Sequence, residues 1–273
     1  MVTTKPTVVL AQLEAYGCTA ELYLNGVPVC RLTPEHVPLR NSAVEQLLIP
    51  GRNWMELLVE PGSTPSIART ERRELPFREI RAVARLLRFE DGAIGHKEGG
   101  QLLGATQVLW MEGDAPTREF PVLNSVEIEM GAAKGRWGWQ DVPPMRMSQR
   151  LWDDALAVIE EVEAAMRAGD EDRFWRLTEL QLQDMLRAYP AVSRDDMWED
   201  LKRRMQTYGR RDDAVFERDP TQHDFRLVSG GRLLELVDKD WSTSVKIRNP
   251  KTGNPLPFRI MLANIGGVLR IIR

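Results

Sequence analysis

"VPPMRMSQRLWDDALAVIEEV", residues 142 to 162, is where the chain changes its rhythm. Pro143 and Pro144 lack backbone N–H groups and fix their own φ, so they cannot continue a strand ladder, and residues 142–147 read as a stiff linker. Ser148 then stands as a helix cap. Leu151, Trp152, Ala155, Val158, Ile159, Val162 and Met166 recur at intervals of three and four until Gly169 ends the helix. Ahead of this point apolar residues alternate; beyond it they fall in helical stripes. The change predicts two domains, an all-β sandwich over 1–146 and an α+β domain over 147–273, with three helices followed by an antiparallel sheet.

Downstream, Asp170 caps a second helix, with Glu171 and Asp172 in its first turn complementing the helix dipole. Phe174, Trp175, Leu177, Leu182, Met185, Leu186 and Tyr189 supply its apolar residues, and Pro190 stops it. Ser193 caps a third, where Asp195 and Asp196 open the helix and Met197, Trp198, Leu201 and Met205 form the stripe. "HDFRLVSGGRLLELVDKD" reads as a hairpin about Gly230-Gly231. The remaining residues supply two or three more strands, the last pair turning at Gly266-Gly267.

Upstream, "ELYLNGVPVCRL", residues 21 to 32, places Asn25-Gly26 between two apolar runs. Both central residues of a type I′ turn need positive φ, which Asn tolerates and Gly adopts freely. Ala20, Leu22, Leu24, Val27 and Val29 then share one face. With a two-residue turn Glu21 faces Cys30, and Cys18 lies about three residues further along its strand, roughly 10 Å away. That is too far for a disulfide, so two free thiols are expected. Pro50-Gly51 turns the chain into a strand with Met55, Leu57 and Val59 on one side and Trp54 and Leu58 on the other. Further strands are predicted at 80–89, 101–110 and 120–130, punctuated by Asp91-Gly92, Gly99-Gly100, Gly113-Asp114 and Gly131.

Two resemblances follow from these stretches. "LYLNGVPV" followed by "VEQLLIPGRNWMELLV" resembles the strand, Asn-Gly, strand and Pro-Gly-x-Asn run of galactose-binding-like jelly rolls. That resemblance implies a jelly-roll fold over the first domain; members of that class bind sugars through loop aromatics, bind proteins or brace a neighbouring domain. The order of helices then strands, closing in "ANIGGVLRIIR", is similar to the cone-shaped α+β fold of the nuclear transport factor two family. Its ketosteroid-isomerase-like relatives work with an acid or base inside an apolar pocket. The likeness is one of topology and brings no catalytic residue with it.

Composition narrows the function. A chain of 273 residues with 42% hydrophobic and 28% charged residues buries real cores, and a formal net charge of -3 disfavours a general nucleic-acid binder. The opening MVTTKPTVVLAQLEAYG lacks a signal-type apolar region, and no apolar run reaches the roughly 20 residues that span a bilayer. A cytoplasmic protein without membrane insertion is the expectation.

Candidate chemistry is sparse. The three histidines and two cysteines lack zinc-ligand spacing, and the glycine pairs are not followed by the Lys-Ser or Lys-Thr of a phosphate loop. Asp153-Asp154, Asp170 to Asp172 and Asp195-Asp196 read as first-turn helix charges rather than metal ligands. His223 reads as a solvated strand end, Asp238 as a hairpin tip, and "RTERRELPFR", residues 69 to 78, as a solvated loop. Trp152, Trp175 and Trp198 lie on helical stripes and belong to the core. In "GRWGWQD", residues 135 to 141, Trp137 and Trp139 share one face of a short strand, where they either close the sandwich or stand exposed to a sugar or a partner protein. Trp241, in "VDKDWSTS", is the exposed loop-tip aromatic. The sequence thus favours a non-enzymatic protein-binding chain of adaptor, chaperone or immunity type, with no cofactor and no metal, resembling proteins that accompany secreted bacterial effectors. Trp137, Trp139 and Trp241 are its candidate binding residues. A carbohydrate-binding module and an enzyme of the cone class are the alternatives.

Overall fold

The computed structural model describes residues 7–34, 38–60, 71–74, 79–90, 100–111, 114, 117–131, 136–208, 215–217, 219, 222–239, 243, 245–248 and 255–273. It divides into two compact units, Met1–Gly135 and Arg136–Arg273. The division thus falls ahead of the double proline. Residues 136–146 are tied to the second unit by backbone contacts, among them Met145 N–H donating to Gly231 O at 2.8 Å.

The first unit is a β-sandwich. Its strands are β1 (Thr7–Tyr16), β2 (Thr19–Leu24), β3 (Val27–Leu32), β4 (Leu39–Ala43), β5 (Gly51–Glu60), β6 (Glu71–Glu74), β7 (Ile80–Glu90), β8 (Gln101–Trp110), β9 (Thr117–Phe120) and β10 (Val122–Met130). One four-stranded sheet runs β4-β1-β7-β8 and the other β10-β5-β2-β3, with all neighbours antiparallel, while β6 and β9 make a separate two-stranded ribbon. Residues 71–74, expected in a solvated loop, are therefore paired as a strand. The core is period-two burial: Val9, Ala11 and Leu13 from β1, Ala82, Ala84 and Leu86 from β7, Leu22 and Leu24 from β2, and Met55, Leu57 and Val59 from β5 are all buried.

Asn25 and Gly26 adopt φ of 54° and 72°, as a type I′ turn requires, and Leu24 pairs with Val27 across it. A bulge between Leu22 and Tyr23 then shifts the register, so Leu22 faces Cys30 and Glu21 faces Arg31 rather than Cys30. Both cysteines are free and buried. The turn is held from outside. Asn25 Nδ2 donates to Leu47 O and to Asn53 Oδ1, each at 2.8 Å, while Asn25 Oδ1 accepts from Trp54 N–H at 3.0 Å. Asn53, wholly buried, accepts from Ile49 N–H and donates to the Ile49 and Gly51 carbonyls, so both ends of its amide are satisfied.

At one side of the sandwich the edge strands of the two sheets come together. Asn124 Nδ2 of β10 donates to Gln107 O of β8 at 2.7 Å, and a Cβ on Gly104 would lie 2.6 Å from Ile128 Cγ1.

The second unit carries α1 (Gln149–Ala168), α2 (Glu171–Ala188) and α3 (Arg194–Tyr208), then β11 (Val215–Glu217), β12 (His223–Val228), β13 (Leu233–Asp238), β14 (Val245–Arg248), β15 (Pro255–Phe258), β16 (Met261–Ile265) and β17 (Val268–Ile271). The helix ends fall where the sequence places them. Ser148 Oγ accepts from Leu151 N–H, Asp170 from Arg173 N–H, and Ser193 and Asp196 bond reciprocally at the start of α3. Those bonds from Ser193 hold the Asp196 carboxyl below its ordinary range. Gly169, at φ 63°, closes α1 in the left-handed conformation. Asp153 and Asp154 differ from expectation: they lie beyond the first turn, bonded to Gln149 and paired with Arg150 respectively.

The strands form two antiparallel sheets, β12-β13-β16-β17 and β11-β14-β15, four strands where two or three were expected after β13. Helices and strands share one core, in which Ala155, Ile159 and Val162 of α1 and Phe174 of α2 pack with Phe225, Leu234, Leu236, Leu262 and Ile271. Trp152 meets Phe225 edge-on at 4.6 Å between ring centroids, and Trp175 meets Trp198 at 4.8 Å. Arg194 lies over Trp175 and Lys202 over Trp198, so the half-buried end of that aromatic pair is covered by cations.

The Gly104 contact makes the close approach of β8 and β10 testable. Gly104→Ala should destabilise the chain by about 1–3 kcal/mol in urea unfolding, and the same substitution should cost less in an Ile128→Ala background, where both clashing carbons are gone.

Candidate functional site

On α2, Leu180, Gln183, Asp184 and Arg187 stand three, four and seven residues apart and so share one helix face. The segment 136–141 lies against that face. It is folded by a local exchange in which Gln140 N–H donates to Trp137 O at 3.1 Å and Gln140 Oε1 accepts from Trp137 N–H at 3.0 Å. Trp137 and Trp139 are therefore in a turn rather than a strand, and both are buried, at 1% and 6% exposure. Neither presents an indole face to a sugar or a partner. Trp241 lies outside the described residues.

Between the turn and the helix is a pocket of about 240 Å³ lined by Arg136, Trp137, Gly138, Asp141, Leu180, Gln183, Asp184, Arg187 and Ile272. Asp184 is its least exposed charged group. Its Oδ2 accepts from Gly138 N–H at 3.4 Å, and Arg187 Nη1 stands 3.8 Å from its carboxylate. Burial pushes the Asp184 carboxyl above its ordinary range, and the Gly138 amide and Arg187 oppose that shift without cancelling it. Arg187 is held elsewhere, donating to Arg136 O at 2.6 Å, and Arg136 pairs through its own guanidinium with Asp141. Sequence reading passes over Asp184 because it sits mid-helix among apolar residues. The signal is positional, a carboxylate four residues before buried Ala188 on the inward face.

A second polar cluster lies in the sheet. Glu235 of β13, 2% exposed at its side chain, is gripped by Arg226 Nε on Oε2 at 2.7 Å and by Arg259 Nε on Oε1. Burial alone would raise this carboxyl, yet the charges of Arg259 and Arg226 and their hydrogen bonds outweigh it and hold it below the ordinary range. His223, expected at a solvated strand end, is buried instead, and strand register sets it opposite Asp238. Asp238 closes β13 and stands 3.5 Å from Lys246 Nζ, tying it to β14. Among the described residues no group of three His, Cys, Asp or Glu side chains could hold a metal ion, and no helix is long and apolar enough to cross a membrane.

No protein-family model matches the chain, and no curated protein matches it. Among solved structures it is similar, at 11% identity and a TM-score of 0.15, to one described as a candidate beta-galactosidase from Bacteroides fragilis. The match covers 45% of this chain and 25% of that one, a likeness too slight to assign a fold or an activity.

Two outcomes follow from the buried groups. Burial raises the Cys18 thiol to about 12, so at neutral pH a disulfide-exchange reagent should leave it unlabelled in the folded chain and label it fully in denaturant. Glu235→Gln leaves two half-buried cations facing a neutral amide and should cost up to about 3 kcal/mol at neutral pH. Because the folded-state pKa of Glu235 is lowered, its contribution is present above the unfolded carboxylate value and lost as pH falls through the folded one. The stability gap between wild type and variant, measured by urea unfolding, should therefore narrow below about pH 4.

Proposed function

We propose that this chain is a non-enzymatic protein-binding protein that acts by occluding or escorting a partner polypeptide. The observation that carries the reading is the set of exposed aliphatic side chains where β8 and β10 meet. Leu102 and Leu109 on β8 are 56% and 51% exposed, Leu123 on β10 is 55% exposed, and Met111 just beyond β8 is 49% exposed. Outward positions on sandwich strands are ordinarily polar, whereas here large apolar groups stand in water at the edges of two sheets. Each is about half exposed, so covering one contributes roughly 1 kcal/mol, half the gain of full burial, and several together support a contact. Trp54, 46% exposed and paired across β5 and β10 with Glu127, is a further exposed apolar side chain of the same sheet.

The finer architecture belongs to the same reading. Two antiparallel four-stranded sheets, with the Asn25-Gly26 hairpin and β5 following Pro50-Gly51, support a galactose-binding-like jelly roll. Three helices followed by an antiparallel sheet that closes through Gly266-Gly267 support a cone of the nuclear transport factor two kind. Two free, buried cysteines suit a reducing cytoplasm, where an adaptor, chaperone or immunity protein for a secreted effector would act. Trp137 and Trp139, candidates alike for a protein partner and for the carbohydrate alternative, are buried, so neither reading rests on them.

The test is affinity purification of the tagged chain from its own host, in parallel with the double variant Leu109→Asp, Leu123→Asp. Wild type should retain a stoichiometric protein companion that the variant loses while keeping its circular dichroism and melting temperature. Equal recovery by both chains, or no companion with either, would overturn the reading.

A further inference from the structure

We propose that the pocket between residues 136–141 and α2 receives the guanidinium group of an arginine side chain presented by another polypeptide, with Asp184 as its anion. The protein-binding reading enters only in who presents the arginine.

Size comes first. At about 240 Å³ the pocket falls below the roughly 300–1,000 Å³ that drug-sized ligands fill, and it suits a single long side chain. Charge comes second. Asp184 is 12% exposed at its side chain, and its contacts, 3.4 Å from Gly138 N and 3.8 Å from Arg187, are longer than the 2.7–3.2 Å of good N–H···O bonds. Arg187 is drawn toward the Arg136 carbonyl and Arg136 toward Asp141, so the cations at the rim are engaged while the sunken carboxylate keeps acceptor capacity. The water it gives up on burial is not fully replaced by these two contacts. An anionic ligand would instead have to displace Asp141 and Asp184 from arginines that are already 75% and 49% exposed to solvent.

Shape selects guanidinium over ammonium. A planar group with five donors can bond Asp184 and the Gln183 amide oxygen together, and it surrenders its hydration more readily than a lysine ammonium. Leu180 and Ile272 offer apolar wall to the methylene stem.

The probe is N-acetyl-L-arginine amide, titrated into the full chain and followed by amide and indole NMR shifts. Saturable shifts at Gly138 and Trp137 are expected, with none from the norleucine analogue, and Asp184→Asn should weaken binding by at least about tenfold. Should that variant lose its fold, Leu180→Trp, which fills the pocket without altering Asp184, should produce the same loss. Absence of saturable shifts, equal binding of norleucine, or undiminished binding by a folded Asp184→Asn would overturn the proposal. Agmatine binding about tenfold more tightly than the capped arginine would also overturn it, by making the site one for a free small guanidine. The Leu109→Asp, Leu123→Asp chain should titrate as wild type does, so failure of the apolar contact and failure of this pocket are separately visible.

Discussion

The first unit rests on one residue held in an uncommon conformation. Asn25 occupies the left-handed region at φ 54°, which costs most L residues and which asparagine tolerates best when its side chain is bonded nearby. Compensation comes from β5 and the turn before it, since the Asn25 side chain spans Leu47 O, Asn53 Oδ1 and Trp54 N–H, while its backbone N–H donates to Trp54 O at 2.8 Å. The hairpin turn and the entry to β5 thus define each other. From this follow the β2–β5 pairing, the inward aim of Met55, Leu57 and Val59, and the placement of β10 on the far side of β5.

In the second unit the matching constraint is distributed over helix ends. Ser148, Gly169, Asp170 and Ser193 set where each helix begins or stops, and the short α1–α2 connection leaves the helices to pack as neighbours over the strands. Polar groups sunk into this unit are treated in two ways. Glu235 receives a guanidinium on each oxygen and is closely paired, whereas Asp184 receives one long amide contact and one distant arginine. The contrast separates a structural ion cluster from a carboxylate positioned at an opening.

What could be read from the sequence was local. Caps, the Asn-Gly turn and the change of rhythm near Pro143-Pro144 depend on residues within a few positions of one another, and each sits where its pattern indicates. Non-local matters escaped. β1 alternates Val9, Ala11, Leu13 and Ala15 inward, but its small alanines give a weak pattern, and its partners β4 and β7 are remote in sequence. The bulge at Leu22/Tyr23 has no glycine to mark it. Whether Trp137 and Trp139 pack inward or stand exposed stays open in the sequence because the α2 face that meets their turn lies more than forty residues away in the chain, as the Gly138 to Asp184 contact makes plain. The Asp184 pocket is invisible for the same reason.

That turn also decides where the second unit really starts. A fragment cut at the double proline, the natural place by eye, would discard two buried indoles, strip Asp184 of its amide donor and leave Arg187 without the carbonyl that anchors it. The prolines are an internal strap of this unit, fastened by Met145 to Gly231, and an intact second unit keeps every residue from Arg136 onward.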